Sequence, residues 1–214
     1  KVRSTTQHGL WLEKEFTINI VNVNEQPTLA NIALETICYT TAPQMVGLSG
    51  ISAGPDANQS TNVSISSSNN SLFEVLEVNQ AVNGQAELRY VVSKGASGSA
   101  VVNVLVTDDG GTAHGGVNSI MKSFTITVNP LPVVTISSDK GNSISKGDEL
   151  VLTATGGVTY QWSNAEGILS GQNTATLKVR PSVTTTYRVT ATNATNCSEV
   201  QEFTVTVNED YQMV

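Results

Sequence analysis

Three segments of the chain end in nearly the same pattern of alternating apolar and polar residues. They are Phe16-Thr17-Ile18-Asn19-Ile20-Val21-Asn22, Phe124-Thr125-Ile126-Thr127-Val128-Asn129-Pro130 and Phe203-Thr204-Val205-Thr206-Val207-Asn208-Glu209. Apolar side chains at every second position predict a strand with one face in a core and one in water. The copies start at residues 16, 124 and 203, so they lie 108 and 79 residues apart. Those spacings suit whole β-sandwiches and are too long for the units of a solenoid. No stretch of useful length carries apolar residues at helical spacing. The predicted class is all-β, with Ig-like or cadherin-like sandwiches in tandem, arranged as an elongated string.

Within this frame, residues 1–26 predict two strands, Lys1–Thr6 and Glu13–Asn22, around a turn at Gly9. Two strands alone are marginal. They read as the closing hairpin of a truncated repeat that packs on a neighbour, pairs with another chain, or frays. Lys1 opens inside a strand, which predicts a piece of a longer chain. Residues 27–130 carry strand patterns at Pro43–Leu48, Thr61–Ser66, Phe73–Val78, Gln85–Val92, Ser99–Val106 and Ser119–Val128. Asn83-Gly84 between two alternating runs predicts a tight hairpin turn. Pro130-Leu131-Pro132 predicts a short stiff joint, because each proline fixes φ and holds the preceding residue extended. A second, smaller sandwich is expected over 131–208, with strands at Val133–Ser137, Glu149–Ala154, Thr159–Trp162, Ala175–Val179, Thr185–Thr192 and Gln201–Val207. Residues 209–214 read as a linker onward.

Composition narrows the function. Charged residues make up 14 % against roughly 25 % in ordinary domains, and Ser, Thr, Asn and Gly fill the deficit. The net charge of −7, with scattered basic residues, argues against nucleic acid as a partner. No apolar run has the length of a membrane-spanning helix, so membrane insertion is not expected. Cys38 and Cys197 fall in different predicted sandwiches, and a bridge would need contact between beads of a string.

The stretch from Gly9 to Phe16 and the linker Asn22-Val23-Asn24-Glu25-Gln26-Pro27 resemble the end of a bacterial cadherin-like repeat. Leu48-Ser49-Gly50-Ile51 and Val106-Thr107-Asp108-Asp109-Gly110-Gly111 resemble the cadherin/Ig-like repeat of giant bacterial surface proteins. Thr159-Tyr160-Gln161-Trp162 and Thr184-Thr185-Thr186-Tyr187-Arg188-Val189-Thr190 resemble an Ig/PKD-like module of secreted gliding-bacterium proteins. The exit at Val207-Asn208-Glu209-Asp210-Tyr211 is similar to the lead-in of their C-terminal sorting domain. Such modules often pair the cysteine at the Cys197 position with one where this chain has Ser145. The resemblance therefore implies that Cys197 is an unpaired, buried thiol, and Cys38 likewise.

The same resemblance implies an interdomain calcium site. Asn24 and Glu25 from the linker would converge with Asp56 and Asn58 from the Asp56-Ala57-Asn58 turn. Calcium takes six to eight oxygens, mostly carboxylate and carbonyl. Asn22, Asn58 and Thr6 stand where the family has Asp, which leaves Glu25 and Asp56 as the anions. The other reading of these residues is a metal-free, hydrogen-bonded linker and turn. Asp108-Asp109 reads as a solvated turn or a lesser metal site, since adjacent strand residues face opposite ways. His8 and His114 sit in separate glycine-flanked loops without metal-ligand spacing. No nucleophile elbow, zinc-helix motif or phosphate loop occurs.

These features predict a non-catalytic structural or adhesion segment, a stalk or spacer of a large exported bacterial surface protein. It would be extracellular, and a monomer or weakly self-associating. The alternative is a glycan- or protein-binding accessory module of a secreted enzyme, with Trp11 and Tyr160 as candidate platforms. Trp162 and Tyr187 read as core.

Overall fold

The computed structural model describes residues 1–56 and 58–209. Asp210 and Tyr211, and with them most of the expected onward linker, lie outside the described residues. Seventeen strands are present among the described residues, with only two single turns of 3₁₀ helix, Asn70–Leu72 and Ala113–Gly115.

The first two strands, β1 (Val2–Thr5) and β2 (Trp11–Lys14), form an isolated antiparallel hairpin. Next come β3 (Glu35–Cys38), β4 (Gln44–Ser49), β5 (Thr61–Ser67), β6 (Phe73–Val78), β7 (Gln85–Val92), β8 (Gly98–Asp108) and β9 (Ser119–Asn129). They form two sheets, β3-β9-β8-β5 and β4-β7-β6, with β3 parallel to β9. Their facing sides close one core around Leu48, Val63, Leu88, Tyr90, Val104 and Ile126. Phe73 meets the Tyr90 ring edge to face, 5.8 Å between centroids.

A second sandwich is built from β10 (Thr135–Ser138), β11 (Ser143–Ser145), β12 (Leu150–Thr155), β13 (Thr159–Trp162), β14 (Ile168–Ser170), β15 (Thr176–Val179), β16 (Thr185–Thr192) and β17 (Ser198–Asn208). Its sheets run β10-β12-β15-β14 and β11-β17-β16-β13. In both units the first strands of the chain split between the sheets, and one of them runs parallel to the last strand. That is the Ig-like arrangement of two Greek-key sheets. Trp162 on β13 and Tyr187 on β16 are fully buried in the second core. The Trp162 indole donates to the Thr174 carbonyl (3.0 Å) and the Tyr187 hydroxyl to the Glu166 carbonyl (2.7 Å). Both polar tips are thus satisfied inside an apolar layer.

The alternating pattern places its side chains as expected in two of its three copies. Phe124, Ile126 and Val128 are buried on β9, and Val205 is buried on β17. The copy at 16–22 differs. Of the expected strand Glu13–Asn22 only Glu13 and Lys14 are paired, and β2 instead begins at Trp11, because β1 offers partners only from Val2 to Thr5. Phe16, Ile18 and Ile20 are 59 %, 72 % and 93 % exposed. The hairpin nonetheless repeats the register of the last hairpin of the first sandwich. Val2 faces Lys14 and Thr5 faces Trp11, as Val104 faces Lys122 and Thr107 faces Ser119.

The Asn83-Gly84 turn has positive φ at both residues, 51° and 77°. Both backbone bonds between Val82 and Gln85 are made. This is the primed turn whose twist matches a hairpin.

Candidate functional site at the two joints

The linker entering the first sandwich is stitched down along its whole length. Asn24 is only 8 % exposed. Its amide donates to Asp108 Oδ1 (2.8 Å), the Val117 carbonyl (2.9 Å) and the Gly111 carbonyl (3.2 Å). Its Oδ1 accepts from Gln59 Nε2 (2.8 Å), and its backbone carbonyl accepts from the Val117 amide. Gln26 donates to the Ser119 carbonyl, and Thr28 pairs with Ser52. Gly110 supplies the room, since a Cβ there would run into Asn24 Oδ1 and Gln59 Nε2.

Of the four sequence-predicted calcium ligands, the structure brings Asp56 to the linker. Asp56 Oδ1 accepts from Asn22 Nδ2 (2.6 Å) and its Oδ2 from the Glu25 amide (3.4 Å). The Asn22 amide is the main reason the Asp56 carboxyl is held below its usual range, with Glu25 and Gln59 adding to it. Asn58 occupies a left-handed turn position, φ 63°. Asn24 points away from Asp56 into the buried cluster. Asp108 and Asp109 split as adjacent strand residues do. Asp108 turns inward, while Asp109 accepts from the Ser60 amide and hydroxyl (3.0 and 2.6 Å), which lower its pKa.

Gln59 was not anticipated in this network, and Asp108, expected as a solvated turn or a lesser metal site, is buried in it. Asp108 and Gln59 each keep a buried oxygen, Oδ2 and Oε1, with no hydrogen-bond partner among the described residues. No salt bridge among the described residues reaches Glu25, Asp56, Asp108 or Asp109. Nor do three His, Cys, Asp or Glu side chains gather there into a cluster that could hold a metal. The donor set is therefore a mixed one of carboxylates, side-chain amides and carbonyls. Carboxylate, amide and carbonyl oxygens are the ligand types that calcium takes.

The second joint corrects the reading of the cysteines. Cys38 and Cys197 form a disulfide, with Cα atoms 5.5 Å apart and a sequence separation of 159. Neither is the free thiol that the resemblance implied. The reason is the length of the joint. Cys38 ends β3 opposite Asn129 at the end of β9, and only residues 130–134 separate Asn129 from β10, the first strand of the second sandwich. So short a connection presses the turn between β16 and β17 against the end of the first sandwich. Asn193 shapes that turn, accepting from the Thr195 and Cys197 amides (3.0 Å each). Its Nδ2 donates to the Pro130 carbonyl (2.9 Å), fastening the turn to the joint. Cys197 is fully buried.

The two candidate aromatic platforms differ. Trp11 is 57 % exposed, with the Arg3 guanidinium 4.6 Å from its ring centre. Tyr160 spends its hydroxyl on the Gly157 backbone, donating to the carbonyl (2.8 Å) and accepting from the amide (3.0 Å).

No protein-family model matches the chain, and no curated protein matches it. Among solved structures it is similar to titin domains Z1Z2 in complex with telethonin. That match has 15 % identity and a TM-score of 0.38, and covers 89 % of this chain and 100 % of that one. It is also similar to an ICAM-5 D1–D4 ectodomain fragment, at 14 % identity and TM-score 0.45, over 86 % of this chain and 47 % of that one. A third match is the human desmocollin-1 ectodomain, at 12 % identity and TM-score 0.34, over 89 % and 42 %.

Proposed function

We propose that this chain is a non-catalytic spacer in a large exported bacterial surface protein. It holds what lies beyond it at a fixed distance and orientation. The observation that carries this reading is the second joint, where five residues, the Asn193–Pro130 hydrogen bond and the Cys38–Cys197 bridge couple one closed sandwich to the next. A disulfide persists in an oxidising compartment, which supports an extracellular location. The Thr- and Ser-rich outer strand faces fit the same setting.

Calcium belongs to this proposal as the ion that would stiffen the first joint. Glu25 and Asp56 would supply its carboxylates, with the remaining oxygens coming from backbone carbonyls and water. The test is thermal unfolding with calcium and with chelator, on the parent chain and on Asp56→Asn. A calcium-dependent rise of several degrees, reduced in the variant, is expected. Superimposable curves for the parent in the two conditions would remove calcium from the account.

A second reading, a glycan- or protein-binding module attached to a secreted enzyme, is favoured by the exposed Trp11 with Arg3 beside it. Flat indole faces are common sugar platforms. Saturable binding on a glycan array, lost in Trp11→Ala, would move the assignment to that reading.

A further inference from the structure

We propose that the Cys38–Cys197 bond is the link through which this chain carries tension, leaving all but one strand of each sandwich, β3 and β17, out of the line of force. The inference rests on the spacer reading and follows from connectivity. A pull between the linker at residue 28 and the end of β17 at Asn208 can run along residues 28–38. It then crosses the bridge and continues along residues 197–208. Residues 39–196, which include β4 to β16, form a closed loop beside that path. The loop begins and ends at Cα atoms 5.5 Å apart, so stretching the path cannot open it.

What remains in the path has little length to give. β3 and β17 are strands, already extended at about 3.3 Å per residue. Residues 28–30 are held against the end of β4 and the segment after it by backbone bonds from Ala30 to Ser49 and from Thr28 to Ser52. β3 is held in parallel register on β9, and β17 lies between β11 and β16. Tearing either strand loose would expose core and release almost no chain. Without the bridge, the same pull passes through every residue from 39 to 196 and must open each sandwich in turn. The length then released is on the order of 550 Å, at roughly 3.3–3.6 Å per residue.

The experiment is single-molecule stretching of the whole chain, tethered at its two ends, in three arms. The oxidised chain, whose bridge is verified by its intact mass, should show no extension step of sandwich size. The second arm adds dithiothreitol, whose thiolate attacks the bridge. Two protein thiols form and the reagent leaves as its cyclic disulfide. Two steps totalling about 550 Å should then appear. Cys38→Ser should reproduce them without a reducing agent. Steps of the same size in the oxidised chain would overturn the proposal, as would an intact mass showing two free thiols. If Cys38→Ser fails to fold, the dithiothreitol arm decides the question alone. Ligand binding at Trp11 would remove the spacer reading and leave these step sizes unchanged, so the two failures are distinguishable.

Discussion

Tyr90 and Tyr187 occupy comparable places, each fully buried in the core of its own sandwich, yet their hydroxyls have opposite fates. Tyr187 donates to the Glu166 carbonyl, while the Tyr90 hydroxyl has no partner among the described residues. An unmade buried hydrogen bond costs more than a made one contributes. Tyr187→Phe should therefore lose about 1 kcal/mol in urea unfolding, and Tyr90→Phe should be neutral or gain a similar amount. Equal losses would contradict this account. Burial, followed by the nearby carboxylates Glu35 and Glu166 respectively, pushes both phenols up to about 12. An unfolded tyrosine ionises near 10. Between these values the unfolded chain releases protons that the folded chain keeps, so stability falls as pH rises from about 10 to 12. Below that window the contribution is fully present. A pH series of melting curves should show the decline, with the Tyr187 part absent in Tyr187→Phe.

At the scale of elements, long alternating strands were legible from sequence and short edge strands were not. β8 and β9 run for eleven residues each and bury alternate side chains, a signal that local chemistry alone could give. β3, β11 and β14 have four, three and three residues. Each sits at a sheet edge, where the partner strand rather than the residue pattern makes the strand. The segment 16–22 shows the reverse case, a clear pattern without a partner backbone. At the first joint the acidic turn was visible, but the direction of Asn24 was not. Asn24 is drawn inward by the space over Gly110, a packing relation between residues 86 positions apart in sequence. Gly110→Ala should push Asn24 and Gln59 from their bonds and cost about 1–3 kcal/mol. Gly111 is the control, since a Cβ there meets nothing within 4 Å and only its φ of 80° opposes substitution. A Gly110→Ala chain as stable as its parent in urea would show that the Asn24 cluster has room to spare.

For the whole molecule, the cysteine pair was the least legible feature, because a sequence of separate units says nothing about which loops meet. The hint lay in the brevity of Pro130-Leu131-Pro132, which reads as stiffness and also implies contact. That contact makes the protein a thread with a ring tied into it. A backbone cut anywhere between residues 39 and 196 opens the ring but leaves both ends of the thread joined through Cys38 and Cys197. After limited proteolysis within that span, one band should persist on a non-reducing gel and two should separate once thiol is added. Separation without thiol would mean the ring was never closed. A chain tied this way can be nicked in either sandwich and still transmit a pull from one of its ends to the other.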